Sequence, residues 1–120
     1  MEIVKNIGEL FQIRTQAHWL HLQTDSFSEH KALNEFYEGW LDLTDSFVEK
    51  YFGKYGKHNG AFMQFTQPYG VVTPIVLMDG ARSSVEVLES SMAKEDTDML
   101  NILADMKGLI NETKYLLTLK

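Results

Sequence analysis

Between residues 2 and 23, Ile3, Ile7, Leu10, Ala17 and Leu20 recur at helical spacing, with Phe11 and Leu22 beside them and no proline to interrupt. A helix of this kind is marginal alone in water, so its apolar stripe has to be buried against other elements. The rest of the chain offers them. The stretch Thr24-Asp25-Ser26-Phe27-Ser28-Glu29 is short and polar, and Ser26 with Glu29 has the spacing of a capping box. It predicts a tight hairpin into a second helix over about 27–52, with Leu33, Phe36, Trp40, Phe47 and Tyr51 as its core face. That helix is expected to stop where Gly53, Gly56 and Gly60 cluster. Residues 53–72, rich in glycine and aromatics, read as a long loop packed on the bundle. A short strand pair at Val71 to Leu77 competes with a third helix. The helix is preferred because Ile75, Met78, Ala81, Val85, Leu88 and Met92 keep a three-or-four spacing, and Thr73 and Pro74 supply an N-cap and N1 pair. A fourth helix opens at Glu95-Asp96-Thr97-Asp98 and continues through Met99, Ile102, Leu103, Met106, Leu109, Ile110, Leu116 and Leu117. The expected fold is all-α, a four-helix bundle with a long loop between its second and third helices, and residues 1–120 form a single domain.

Composition narrows the function. With 44% hydrophobic and 12% aromatic residues the chain is not disordered. Seventeen acidic against eleven basic residues give a net charge of −6, which repels a phosphate backbone, so no nucleic-acid partner is expected. Cysteine is absent, which leaves four histidines and the carboxylates as the only strong metal ligands. The start MEIVKNIGELF lacks the basic and apolar pattern of a signal peptide, and no apolar run is long enough to span a bilayer. A cytoplasmic protein with no membrane contact is expected.

The second helix carries a further stripe: His30, Asn34, Tyr37, Leu41, Asp45, Val48 and Phe52, with Glu49 one turn beyond Asp45. Its ends are polar and its middle apolar, on a face the core does not need, which predicts a subunit interface. His30 and Asp45, fifteen residues apart, are separated by roughly 22 Å along one helix and cannot hold one ion within one chain. Two copies of this helix packed antiparallel about a two-fold axis near Tyr37 and Leu41 would bring His30 of one level with Asp45 and Glu49 of the other. His18 precedes the hairpin by about as much as His30 follows it, so both rings are expected at a similar height. Two imidazoles and two carboxylates without sulfur suit iron, manganese or zinc. His21 has no identifiable carboxylate partner and is expected at the surface or in packing, and His58 is expected to be exposed. The methionines fit core packing.

The run HWLHLQTDSFSEH, followed by LTDSFVE, resembles the mini-ferritins, the Dps-like members of the ferritin-like superfamily. In that family a His-Trp opens the motif, a second His follows twelve residues later, and an Asp and a Glu four apart follow on the second helix. Here these are His18-Trp19, His30, Asp45 and Glu49. The resemblance implies a ferritin-like bundle in which these four residues bind and oxidise Fe(II) between two-fold-related subunits and Fe(III) is sequestered. Asn34 stands where the family has an Asp ligand, which implies a neutral, weaker donor at a second metal position. Binding to DNA through the basic tail that some members carry is not expected here. Small phage-encoded proteins have a similar appearance, which extends the expected location from the cytoplasm to a virion. The alternative expectation is a structural or assembly protein that keeps the fold and the dimer interface without the chemistry.

Overall fold

A computed structural model describes residues 2–60 and 72–120. Among them are four helices and no strand: α1 (Glu2–Gln23), α2 (Phe27–Tyr55), α3 (Pro74–Ser91) and α4 (Thr97–Leu116). The start of α2 follows from its cap. The Ser26 hydroxyl accepts the Glu29 amide at 3.3 Å, which satisfies one of the unpaired N–H groups of the first turn. Glu29 does not close a reciprocal box, because its carboxylate accepts the Thr24 hydroxyl, and Thr24 Oγ1 takes the Ser26 amide instead. At α3 the Thr73 hydroxyl accepts the Val76 amide at 3.2 Å, with Pro74 following it at the helix start. Pro74–Leu77 are therefore helical and not a strand, while Val71 lies outside the described residues.

The expected end of the second helix is too early. α2 continues through Gly53 to Tyr55 and ends at Gly56, whose φ of 94° breaks the helical path. The last turn is held by the Lys54 and Tyr55 side chains, both bonded to Asp96, and by the Tyr51 and Tyr55 rings, 4.8 Å apart. Of the stretch expected to form a long loop, residues 61–71 lie outside those described.

Hydrogen bonds between helices fix their directions. Trp40 Nε1 donates to the Leu10 carbonyl, and His21 meets His30, so α1 and α2 are antiparallel. Lys54 and Tyr55 at the end of α2 meet Asp96 at the start of α4, while Ser28 at the start of α2 bonds the Leu119 carbonyl just beyond α4. Those two helices are antiparallel as well. Lys107 with Glu89, and Lys114 with Asp79, run α3 and α4 in opposite directions. Consequently α2 and α3 are parallel, and the chain between Tyr55 and Pro74 links opposite ends of the bundle. α1 packs on α2 and α3, α4 packs on the same two, and the diagonal pairs scarcely touch.

The core lies where the four stripes meet. Leu10, Ala17, Phe36, Trp40, Phe47, Met78, Val85, Leu88, Met99, Leu103, Met106 and Ile110 are fully buried. Each large side chain among them contributes about 1.5–3 kcal/mol by leaving water. The stripes depart from expectation at the helix ends, where Leu22 and Ile75 are exposed. No helix is long and apolar enough to cross a membrane among the described residues.

Candidate functional site

The end of α1 and the start of α2 bring three histidines together. His21 Nδ1 lies 2.7 Å from the His30 carbonyl, and His30 Nδ1 lies 2.8 Å from the His21 carbonyl. A carbonyl can only accept, so both Nδ1 atoms carry the proton and both Nε2 atoms are left with a lone pair when the rings are neutral. The two rings stack with centroids 3.7 Å apart and planes 19° apart. The His21 carbonyl belongs to the last turn of α1, whose acceptors have no partner within the helix, so His30 closes that helix from outside.

His18, one turn earlier, stacks on Tyr37 at 4.5 Å and lies 6.0 Å from the His21 ring. Tyr37 is buried, carries the Arg14 guanidinium 5.4 Å from its ring centre, and donates its hydroxyl to Asn34 Oδ1 at 2.8 Å. Within the chain Tyr37 faces α1, where His18 stacks on it. The Tyr37 bond takes one of the two lone pairs of Asn34 Oδ1, the atom that would serve as a neutral metal donor. Beside the rings is a cavity of about 300 Å³ lined by His21, Phe27, His30, Lys31, Asn34 and Glu35.

His21, expected at the surface or in packing, is buried and is the residue that touches His30. A signal for it exists in the sequence, since Leu10, Ala17 and His21 continue one helical stripe. Asp45 and Glu49 are both exposed further along α2, and neither makes a hydrogen bond or ion pair among the described residues. The structure thus brings His18, His21, His30, Asn34 and Tyr37 into one cluster and leaves Asp45 and Glu49 outside it. Within one chain, and among the described residues, no three His, Asp or Glu side chains are placed to hold a metal ion. His58 is exposed.

A second polar centre was missed in the sequence. Asp96, read there as part of an acidic helix start, makes no cap bond to α4 and is buried. Its carboxylate accepts Lys54 Nζ, the Tyr55 hydroxyl at 2.5 Å and the Ala93 amide at 3.1 Å. The hydrogen bonds from Lys54 and Tyr55 hold the Asp96 carboxyl below its ordinary range, and the bond to Asp96 raises both Lys54 and Tyr55. These contacts knot the end of α2 to the turn between α3 and α4.

Among the described residues the molecule is thus all-helical, with four helices and a histidine cluster at its first hairpin. Residues 21–117 match a family of unknown function, DUF5856, and the chain belongs to that family. The matched stretch contains His21, His30, Asn34, Asp45, Glu49 and Asp96 and begins after His18. No curated protein and no solved structure matches the chain.

Proposed function

We propose that this chain is a ferritin-like iron-binding protein that oxidises Fe(II) at a site completed between two copies. His18 and His30 of one copy and Asp45 and Glu49 of the other form the ligand set. The observation that carries the reading is the state of His30: its Nδ1–H is fixed on the His21 carbonyl, which sets the tautomer that leaves Nε2 for a metal. Metal-binding histidines characteristically use their other nitrogen in this way. The stack on His21 also favours His18 as the second imidazole. Two face-to-face rings direct their in-plane lone pairs along nearly parallel planes, so His21 and His30 cannot share one small ion at normal bond lengths.

Further support comes from topology, since one end-to-end connection between parallel helices is the arrangement of ferritin-like bundles. The exposure of Asp45 and Glu49, four residues apart on one face of α2, leaves them available to a neighbour. Fe(II) is the substrate, with zinc or manganese as surrogates for binding. With peroxide as oxidant, two Fe(II) each give up one electron, H2O2 takes both with two protons, and two waters form. Asn34, already bonded to Tyr37, adds little to a second metal position.

The structural alternative, an assembly or virion protein, draws on the same hairpin. The paired His21 and His30 bonds give both rings a role in holding α1 on α2 without any metal. Anaerobic Fe(II) titration followed by peroxide separates the two readings. The unmodified protein is expected to bind about one Fe(II) per chain and to oxidise it faster than an Asp45→Ala/Glu49→Ala variant. Failure to bind, or equal rates in the two proteins, removes the iron reading and leaves the structural one.

A further inference from the structure

Among the described residues, large apolar side chains left in water are not scattered over the surface. Trp19 and Leu22 at the end of α1, and Phe27 at the start of α2, are 57%, 62% and 75% exposed. Ile75 and Val76 open α3 at the same end of the bundle, and Tyr115 and Leu119 close α4 there, all of them exposed. Every helix therefore adds at least one apolar side chain to a single end, which the Ser28 bond to the Leu119 carbonyl draws together. Among the described residues, the only other exposed large apolar side chains are Tyr55 and Val87.

The charges around this end differ from those of the whole chain. Over the half of the bundle nearest this end, six acidic residues, among them Asp25, Glu29, Glu35 and Glu112, are matched by six basic ones, and Asp79 is paired with Lys114 at 2.9 Å. The end is neutral, so the net charge of −6 is carried by the rest of the surface. An apolar centre with a balanced, mixed-sign rim has the anatomy of a protein–protein interface. It lacks the basic excess that an anionic membrane or a nucleic acid requires. Two copies that meet here bring together neutral ends and keep their acidic sides apart, and each rim offers both signs to its mate.

We propose that this end of the bundle is a self-association surface, at which a second copy of the chain seats its own Trp19, Leu22, Phe27 and Tyr115. Leu41 lies fourteen residues further along α2 than Phe27, so this end adds a contact to the α2 pairing of the proposed function, and the expectation of an assembly larger than a dimer rests on that pairing. The proposal does not depend on iron.

The test is the solution mass of the full chain at micromolar concentration, by light scattering and sedimentation velocity. The unmodified chain is expected to exceed the mass of two chains. A Leu22→Gln/Phe27→Gln/Tyr115→Gln variant is expected to fall to two chains or fewer with an unchanged circular dichroism spectrum, because the replaced side chains are exposed. A monomeric unmodified chain, or a triple variant of unchanged mass, overturns the proposal. Leu41→Glu separates the contacts: loss of mass there but not in the triple variant leaves only the α2 interface, and the reverse leaves only the end surface. Should the triple variant lose helical signal, the absence of cysteine provides a second readout. Oxidised Phe27→Cys protein is expected to form covalent pairs, Asp98→Cys at the opposite end is not, and absence of Phe27→Cys pairs overturns the proposal.

Discussion

Two residues, His21 and Asp96, carry roles that their neighbours in sequence conceal. His21 supplies the main-chain carbonyl that orients His30, an acceptor any residue at that position would keep, while its ring donates to the His30 carbonyl and stacks on the His30 ring. His21→Ala keeps the acceptor of His30 Nδ1–H and removes only the stacked ring, so Fe(II) binding is expected to fall by less than the about ten-fold typical of losing the group that orients a ligand. Isothermal titration with Fe(II) or Zn(II) checks this, and His21→Gln is expected to recover part of the loss if its amide reaches the same carbonyl. Asp96 acts through charge. Its carboxyl titrates below the ordinary value, so the stability it confers is complete above pH of about 4 and lost as pH falls through its folded value. Lys54 and Tyr55 titrate above theirs, so their contribution is complete below pH of about 10 and lost as pH rises through the folded values. Asp96→Asn is expected to lower the melting midpoint at pH 7 and to flatten its decline between pH 5 and 2. An acid limb as steep as that of the unmodified protein would place its origin elsewhere.

At the scale of the helices, apolar spacing located all four, because each stripe meets the others in one core and burial follows the helical period directly. The N-caps at Ser26 and Thr73 were legible for a similar reason: a cap is satisfied within three residues of itself. What local pattern could not give were features decided by another element. The last turn of α2 persists because Lys54 and Tyr55 reach Asp96, forty-two and forty-one residues away, and Tyr37 turns inward because α1 offers His18 to stack on. Glycines inside the helices report the same division. Gly80 in α3 and Gly108 in α4 have open space where a Cβ would stand, whereas at Gly39 it would lie 3.1 Å from Leu109 Cδ2. Gly80→Ala and Gly108→Ala are each expected to stabilise by about 0.5–1 kcal/mol through helix propensity. Together they should raise the melting midpoint by several degrees, and Gly39→Ala should gain less than either because Leu109 has to yield.

For the whole molecule, stripe spacing says that helices pack but not which of them are neighbours. The ring order α1, α2, α4, α3 became visible only through contacts such as Glu9 with Ser84 and Glu89 with Lys107. The candidate site was legible to the same depth: residue types and heights along α2 could be read, but not that Asp45 and Glu49 stand apart from the histidines in a single chain. Trp40 is where the arrangement is most concentrated. It is fully buried, stacks on Phe36 with ring centres 5.2 Å apart, and donates its indole N–H to the Leu10 carbonyl at 2.9 Å, tying α2 to α1. Trp40→Ala removes the ring and leaves a cavity, an expected loss of about 3–5 kcal/mol. A domain of this size is stable by only about 5–15 kcal/mol, so the variant is expected to unfold at much lower urea or not to fold at all. Trp19, 57% exposed in the single chain, provides the internal control, and at dilutions where the chain is a monomer Trp19→Ala is expected to shift stability by no more than about 0.5 kcal/mol. Urea titration followed by circular dichroism measures both. Equal losses in the two variants would mean that Trp19 is buried in solution, whether by assembly or by its own chain, and dilution below the association range distinguishes these because only burial by assembly is lost.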